Sequence, residues 1–328
     1  MQSAAQKLLV VGGNGFIGSA VCRAALLRGY EVTSVSSSGK PFRTPKGHAP
    51  AWTSKVDWQQ ADAFRPETYT HLLPGVTAVV HTLGTLLEDT KYKDALRKGD
   101  VLGALTSFVR STLLPGGRNP LEAGAEKSYE RLNRDAALCV AEAFFDSKSE
   151  TPATGQRAFV FLSAEDIFRP LIPARYIETK REAEAALGRM VALRPEHFRT
   201  VYVRPSLVYH PHLRPLTTPV AALLDLSSVL HSKTPQALPT PSSILRTLAH
   251  ALPGSSSPFV PTSPLDAVAN ALTLPPIHVD HVAEAAVIAA DCSRTDVRGV
   301  YGVREIRELI GWARKGERQA ETQSVHSG

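Results

Sequence analysis

The sequence predicts an α/β protein with a doubly wound parallel sheet and a small C-terminal lobe. Residues 7–18 read KLLVVGGNGFIG, an apolar strand that runs directly into a glycine-rich turn. Strand and helix patterns then alternate through the first two-thirds of the chain, as in sheets whose parallel strands are joined by right-handed crossovers. The chain has 328 residues, enough for one large domain and a smaller lobe. Together these observations predict a Rossmann-like sheet.

Each glycine of the turn has a separate physical function. Gly12 permits the tight turn, Gly15 lets phosphate oxygens approach the backbone, and Gly18 lets the next helix pack closely. Apolar residues recur at helical spacing over residues 16–27, and Gly29 lies where a helix C-cap belongs. The free N–H groups and dipole of that first helical turn favour an anion. The residues predicted to hold a dinucleotide here are Gly12, Gly15, Phe16, Ile17 and Gly18.

The remaining pattern defines the predicted domain organisation. Further strands are predicted at residues 31–35, 55–60, 76–81, 159–162 and 200–203. Further helices are predicted at residues 66–73, 128–146, 175–193, 219–230 and 242–252. We predict a nucleotide-binding domain over residues 1–204 with an insertion at 84–127, a smaller lobe over 205–314, and a disordered tail over 315–328. The segment IHVDHVA is expected to pack back on the core.

The segment after the second strand indicates which dinucleotide is bound. A site that prefers NAD usually has Asp or Glu here to bond the ribose 2′-hydroxyl, whereas this chain has SSSGK at 36–40. Ser36, Ser37 and Lys40 can instead accept a 2′-phosphate, although Lys40 also fits a solvated surface lysine. We therefore predict NADP(H) in slight preference to NAD(H). Asp62 closes the third strand, where an acid either contacts the adenine amino group or holds a turn.

A tyrosine and a lysine form a candidate proton-transfer pair. Tyr176 and Lys180 lie four residues apart in PARYIETKRE, so they share one face of a predicted helix. A positive charge beside a tyrosine lowers the pKa of the phenol and favours the phenolate. Tyr176 is therefore a candidate general acid/base, and Lys180 is a candidate electrostatic helper that also binds the ribose.

Composition and charge exclude several classes of function. The net charge of +6 is mildly basic, but no long Lys/Arg block occurs, which argues against nucleic-acid binding. Cys22, Cys139 and Cys292 are widely spaced and odd in number, so we predict neither disulfides nor a metal site. No apolar run approaches the roughly 18–20 residues that span a bilayer. We expect no secretory signal, because the first strand begins by about Lys7.

The predicted helix at 242–252 is amphipathic. Its apolar side chains share one face and are Ile244, Leu245, Leu248, Ala249 and Leu252. This face either packs against the sheet or contacts a membrane surface or a quinone precursor.

The ordered motifs resemble those of a known superfamily. GGNGFIG, ADAF, VVHTLG, YERLNRDA with Asn133, LSAED, YIETKREAE, VRPSLVY and IHVDHVA follow one another in the expected order. The chain therefore resembles the extended or atypical short-chain dehydrogenase/reductases of the NAD-dependent epimerase/dehydratase type, over about residues 6–310. Within them it is most similar to fungal mitochondrial epimerase-like proteins of ubiquinone biosynthesis. It is similar, more distantly, to the Rossmann-fold accessory subunit of respiratory complex I.

The resemblance implies further site residues and one departure. His81, Leu83, Gly84, Arg204 and Pro205 are implied around the cofactor, although His81 also fits a buried structural histidine and the Arg204-Pro205 pair a structural strand end. Active members carry Ser or Thr after the fifth strand, in a serine-rich segment. This chain reads LSAE at 162–165, so Glu165 occupies the third position and only Ser163 remains. Ser163 is therefore a doubtful catalytic residue, because the serine should polarise the substrate oxygen.

The resemblance leaves three functions open. The first is a nucleotide-binding protein that supports mitochondrial ubiquinone biosynthesis with little or no catalysis, in the matrix or at the inner membrane. Its expected partners are quinone-biosynthesis proteins, a quinone-like lipid and the inner-membrane surface. The second is an active NAD(P)H-dependent reductase, dehydrogenase or epimerase in which Tyr176 transfers the proton and Lys180 orients the ribose. The third is a nucleotide-binding scaffold subunit of a mitochondrial complex.

Overall fold

The computed structural model describes residues 6–84, 129–148, 155–167, 169, 172–215, 217–235, 238–251 and 258–312. Two predicted segments lie outside these residues. They are the connection at 84–127, of which only Gly84 is described, and the tail from residue 315.

A parallel sheet forms the centre of the molecule. The strands are β1 (Lys7–Val11), β2 (Glu31–Ser36), β3 (Asp57–Gln60), β4 (Ala78–His81), β5 (Arg157–Leu162), β6 (Phe198–Val203), β7 (Val208–Tyr209), β8 (Ile277–His278) and β9 (Gly299–Tyr301). Seven of them make one sheet in the order β3-β2-β1-β4-β5-β6-β9, and every pairing in it is parallel. The strand order reverses between β1 and β4, which places a crevice at their carboxyl ends.

Helices cover both faces of this sheet. They are α1 (Phe16–Leu27), α2 (Ala136–Asp146), α3 (Ala174–Ala192), α4 (Thr217–Lys233), α5 (Pro241–Ala251), α6 (Pro264–Thr273), α7 (Val279–Ala290) and α8 (Val303–Leu309). On one face α1 and α7 enclose side chains such as Val10 and Val80. On the other face α2 and α3 enclose side chains such as Val79 and Phe159. Because neighbouring residues of one strand are buried on opposite faces, the central strands β1, β4 and β5 are mostly apolar. The predicted doubly wound fold is confirmed.

Three element predictions need correction. The helix expected at 66–73 is two 3₁₀ turns, Pro66–Thr68 and Thr70–Leu72, because the Tyr69 backbone between them is not helical and its ring is buried. The helix expected at 128–146 begins with a π-helical segment, Glu130–Asp135, which continues into α2. The short strands β7, β8 and β9 were not predicted, because two or three residues carry little periodicity.

Outside the central sheet, the two-stranded sheet β7–β8 and the helices α4, α5 and α6 form a second group of elements, which we call the C-terminal lobe. Helix α6 begins with a capping box formed by Ser263 and Asp266, and it packs against both α4 and α5. Helix α5 therefore does not depend on the central sheet for its packing: Ala249 is buried, whereas Ile244 and Leu248 are exposed. Within the described part of the chain, no helix is both long and apolar enough to cross a membrane.

Candidate functional site

The turn between β1 and α1 has the geometry of a phosphate cradle. Gly12 has φ of +84°, a left-handed conformation that favours glycine. Its N–H donates to the carbonyl oxygen of Val35 (2.8 Å), and the N–H of Gly15 donates to the carbonyl oxygen of Gly12 (2.9 Å). These bonds tie the turn to β2 and direct the chain into α1.

The other two glycines of the turn meet different requirements. A Cβ atom at Gly18 would overlap the carbonyl oxygen of Gly12, so only glycine lets α1 pack this close to the turn. Gly15 is exposed, and a Cβ there would lie 3.2 Å from the same oxygen, in the space above the turn. Gly15 caps α1 without a side-chain bond, and the first turn carries no acidic residue. The free N–H groups at this end of α1 therefore fit a dinucleotide pyrophosphate.

A cleft of about 1060 Å³ opens beside this turn. It lies along the carboxyl ends of the central strands, as expected for a nucleotide site in a doubly wound sheet. Predicted residues that line it are Gly12, Ser36, Ser37, Asp62 and Leu83.

The loop after β2 is tied to the glycine turn by a residue that the sequence analysis did not single out. Asn14 donates from Nδ2 to Ser38 Oγ (3.0 Å) and to the carbonyl oxygen of Lys40 (3.4 Å). Ser36 Oγ accepts from the N–H of Gly39 (3.2 Å). The Lys40 side chain is exposed and is not part of the cleft lining. Asn14 lies inside the glycine motif, so its place in that motif was the sequence signal that could have identified it.

The far end of the cleft combines a turn with two arginines. Asp62 Oδ1 accepts from the N–H of Phe64 (3.0 Å), so Asp62 holds a turn and also lines the cleft. Its Oδ2 lies 3.9 Å from Arg65 Nε. Arg131 lies with its guanidinium carbon 4.7 Å from the centre of the Phe64 ring. Arg65 follows Asp62 by three residues, and that spacing was the available signal. No sequence signal pointed to Arg131, because only the tertiary fold brings it to the cleft.

His81 is buried beneath the cleft and has no solvent exposure. Its ring lies between Phe159 and Phe161, with centroids 6.3 and 5.9 Å away. Neither ring nitrogen has a hydrogen-bond partner among the residues that the structure describes. Burial, reinforced by the charge of Lys180, lowers the pKa of His81 to about 3, so the ring is neutral at physiological pH.

Lys180 lies at the junction of β4, β5 and α3. Its Nζ donates to the carbonyl oxygens of Leu162 (2.9 Å) and Leu83 (3.4 Å). A Cβ at Gly84 would lie 2.7 Å from this Nζ and 3.0 Å from Asn133 Oδ1, so the structure brings these three residues together. Burial lowers the pKa of Lys180 to about 7, and the neighbouring Glu184 opposes that shift.

Tyr176 packs in an apolar cluster. The cluster consists of Tyr129, Ala164, Ile172, Tyr176, Ile177 and Val260. The Tyr129 and Tyr176 rings meet edge to face at 6.1 Å. Burial is the main cause that raises the pKa of Tyr176, and the cation that opposes it is Arg181 rather than Lys180. Lys180 is not among the groups that shift the pKa of Tyr176 in this structure, and its effect on the phenolate stays a prediction.

The Ser163 hydroxyl bonds to an ionic cluster and not to Tyr176. Its Oγ accepts from Arg181 Nη1 (3.1 Å). The same guanidinium donates to Glu184 Oε1 (2.8 Å), and Arg204 also bonds to Glu184. Between the described residues Ser163 and Tyr176 the structure has no hydrogen bond. Arg204 thus has a carboxylate partner within α3, and Pro205 accepts from the N–H of Glu165 (2.9 Å).

Comparisons with known proteins agree with this geometry. Residues 8–106 match the NAD dependent epimerase/dehydratase family. The chain is 40% identical to MIOREX complex component 2 of Saccharomyces cerevisiae over 215 residues, 63% of this chain and 74% of that protein. It is 26% identical to 2-alkyl-3-oxoalkanoate reductase of Stenotrophomonas maltophilia over 205 residues, 62% of this chain and 52% of that protein.

A solved structure shares the fold. An oxidoreductase of the short-chain dehydrogenase/reductase family from Burkholderia thailandensis superposes with a TM-score of 0.54 at 15% identity, covering 92% of each chain. The glycine cradle and the cleft agree with the nucleotide cofactor of the matched family. The chain belongs to the NAD dependent epimerase/dehydratase family, with the short-chain dehydrogenase/reductase fold.

Proposed function

We propose that this protein binds NADP(H) and supports ubiquinone biosynthesis in mitochondria, with little or no catalysis at Tyr176. One contrast carries the proposal. The turn between β1 and α1 has the left-handed Gly12 and the uncapped helix end that suit a dinucleotide pyrophosphate, whereas the Ser163 hydroxyl is bonded to Arg181 and Tyr176 packs among apolar side chains. A site of this kind binds the nucleotide and lacks the serine that would polarise a substrate oxygen.

The proposed preference for NADP(H) rests on the end of β2. Ser36 and Ser37 line the cleft, and no carboxylate follows them before the exposed Lys40. Hydroxyls and a nearby ammonium are donors to a 2′-phosphate, whereas an Asp or Glu there would repel it.

The proposed cellular role rests on the sequence resemblance to mitochondrial ubiquinone-biosynthesis proteins. The yeast relative is named as a component of a complex, which supports a function inside a multiprotein assembly. The same role would place the protein in the matrix or at the inner membrane, near quinone-like lipids and the proteins that modify them.

Complementation of cells that lack the protein tests this role. Their ubiquinone content should fall, and it should return with the wild-type chain and with Tyr176→Phe. Gly15→Val, which fills the cradle, should not restore it. Normal ubiquinone in the deleted cells would refute the role, and failure of Tyr176→Phe alone would refute the view that catalysis is dispensable.

A second candidate is an active NAD(P)H-dependent reductase. Lys180 favours it, because Gly84, Asn133 and the Lys180 ammonium lie together where a ribose would be oriented. The similarity to a bacterial reductase also favours it. The bound cofactor would supply a hydride, and Tyr176 would exchange the proton with the substrate oxygen. Carbonyl-dependent oxidation of NADPH that disappears in Tyr176→Phe would establish this function.

A further inference from the structure

A cation from the C-terminal lobe lies over the start of α1. Arg214 follows β7, and its guanidinium carbon is 4.1 Å from the centre of the Phe16 ring. Phe16 is the first residue of α1, immediately after the exposed Gly15. The lobe thus places a charged side chain beside the phosphate cradle.

The backbone that carries Arg214 is held in a closed turn. Its N–H donates to the carbonyl oxygen of His210 (2.9 Å), and the two residues form an antiparallel bridge. Its carbonyl oxygen accepts from Thr217 Oγ1 (2.7 Å) at the start of α4. His210 Nδ1 accepts the backbone N–H groups of His212 (3.1 Å) and Leu213 (3.2 Å). Because the turn is bonded at both ends, the direction of the Arg214 side chain is a consequence of the fold.

The electrostatic surroundings of Arg214 favour the binding of an anion. The Arg214 side chain is exposed, partial desolvation lowers the pKa of its guanidinium, and none of the described carboxylates opposes that shift. The start of α1 is also electropositive, because its free N–H groups have neither a capping side chain nor an acidic residue in the first turn. An anion bound between this end of α1 and the Arg214 guanidinium would be attracted by both positive groups.

We propose that Arg214 is a ligand of the dinucleotide diphosphate and that the bound nucleotide thereby fastens the C-terminal lobe to the central domain. This inference rests on the proposed nucleotide binding and adds a residue that the glycine motif does not contain. The guanidinium lies over the ring of Phe16 in a cation–π contact, which keeps it close to the start of α1.

The diphosphate is common to NADH and NADPH, so one substitution should weaken both equally. In the full-length chain, Arg214→Gln should raise the Kd of NADH and of NADPH by about 10-fold, because it removes a charge-assisted hydrogen bond. The Kd of adenosine, which has no phosphate, should not change. Arg246→Gln is the matched control, because Arg246 also belongs to the lobe but bonds to Asn270 (2.9 Å) within it.

Hydrogen exchange of α4 supplies a second measurement. NADH should slow amide exchange over 217–233 in the wild-type chain and in Arg214→Lys, but much less in Arg214→Gln. A purely structural contact with Phe16 would change the exchange of the free protein and leave the effect of NADH intact. If Arg214→Gln binds both dinucleotides as the wild type does, the inference is wrong and the proposed function stands. If the wild-type chain binds neither, both are wrong.

Discussion

The glycine turn and the Tyr176 region differ in what their motifs specify. Both were identified in the sequence from short patterns, GGNGFIG and YIETK. The structure gives the first pattern its full geometry, from the left-handed Gly12 to the free end of α1. It gives the second a shared helix face but places Tyr176 in an apolar cluster and Ser163 on Arg181.

This difference teaches that the two sites depend on different parts of the chain. The phosphate cradle uses backbone N–H groups that lie within a few residues of each other, so local spacing determines it. The tyrosine site uses side chains whose surroundings come from distant segments, which supply Tyr129 and Val260. A motif can therefore persist at the tyrosine while its chemical environment changes.

The largest expected effect on stability comes from a substitution within the glycine turn itself. Gly18→Val should lower the free energy of unfolding by about 4 kcal/mol or more, because its side chain would overlap the Gly12 carbonyl group. Urea denaturation measures this change. Gly29→Ala is the control, since no atom lies within 4 Å of its new Cβ and only the backbone with φ of +80° is strained. If the free energy of unfolding fell equally in the two variants, the packing role of Gly18 would be contradicted.

A pH-dependent effect comes from His81, buried between the two regions. The unfolded chain protonates this histidine near pH 6.5, whereas the folded chain keeps it neutral down to about pH 3. The unfolded state therefore binds more protons below pH 6.5, and the free energy of unfolding should fall by about 2 kcal/mol from pH 7 to pH 5.

His81→Phe should remove this part of the pH dependence, because a phenyl ring fits between Phe159 and Phe161 and does not titrate. His197→Phe, at an exposed position, should leave the dependence as in the wild type. Thermal unfolding at the two pH values measures both variants. If His81→Phe retains the full dependence, His81 is not the buried neutral group.

A smaller effect tests the choice of cofactor at the end of β2. Lys40→Gln should raise the Kd of NADPH about 5-fold and leave the Kd of NADH unchanged, because only NADPH carries the 2′-phosphate. Fluorescence titration with both reduced cofactors measures this. Lys55→Gln is a control with the same change of charge at another exposed position. Tighter binding of NADH than of NADPH by the wild-type chain would contradict the proposed preference.

The sequence was sufficient to predict those elements whose structure depends on neighbouring residues. The bounds of β1, α1 and β2 followed from an apolar run, a helical period and Gly29, and the structure reproduces them to within one residue. The sequence was insufficient where contacts between distant segments determine the backbone conformation or the surroundings of a side chain. The burial of Tyr69 replaces an expected helix by 3₁₀ turns, and the burial of Tyr176 reverses the expected direction of its pKa. Only tertiary packing brings Arg131 to the cleft and Arg214 to the ring of Phe16.

The smallest expected effect is the most direct test of the central claim, that nucleotide binding does not depend on catalysis at Tyr176. The measurement is a titration of NADPH into the wild-type chain and Tyr176→Phe, followed by NADPH oxidation with carbonyl and quinone substrates. We predict Kd values within about 2-fold of each other and no oxidation in either chain that depends on Tyr176. Turnover by the wild type that is lost in Tyr176→Phe would contradict the claim.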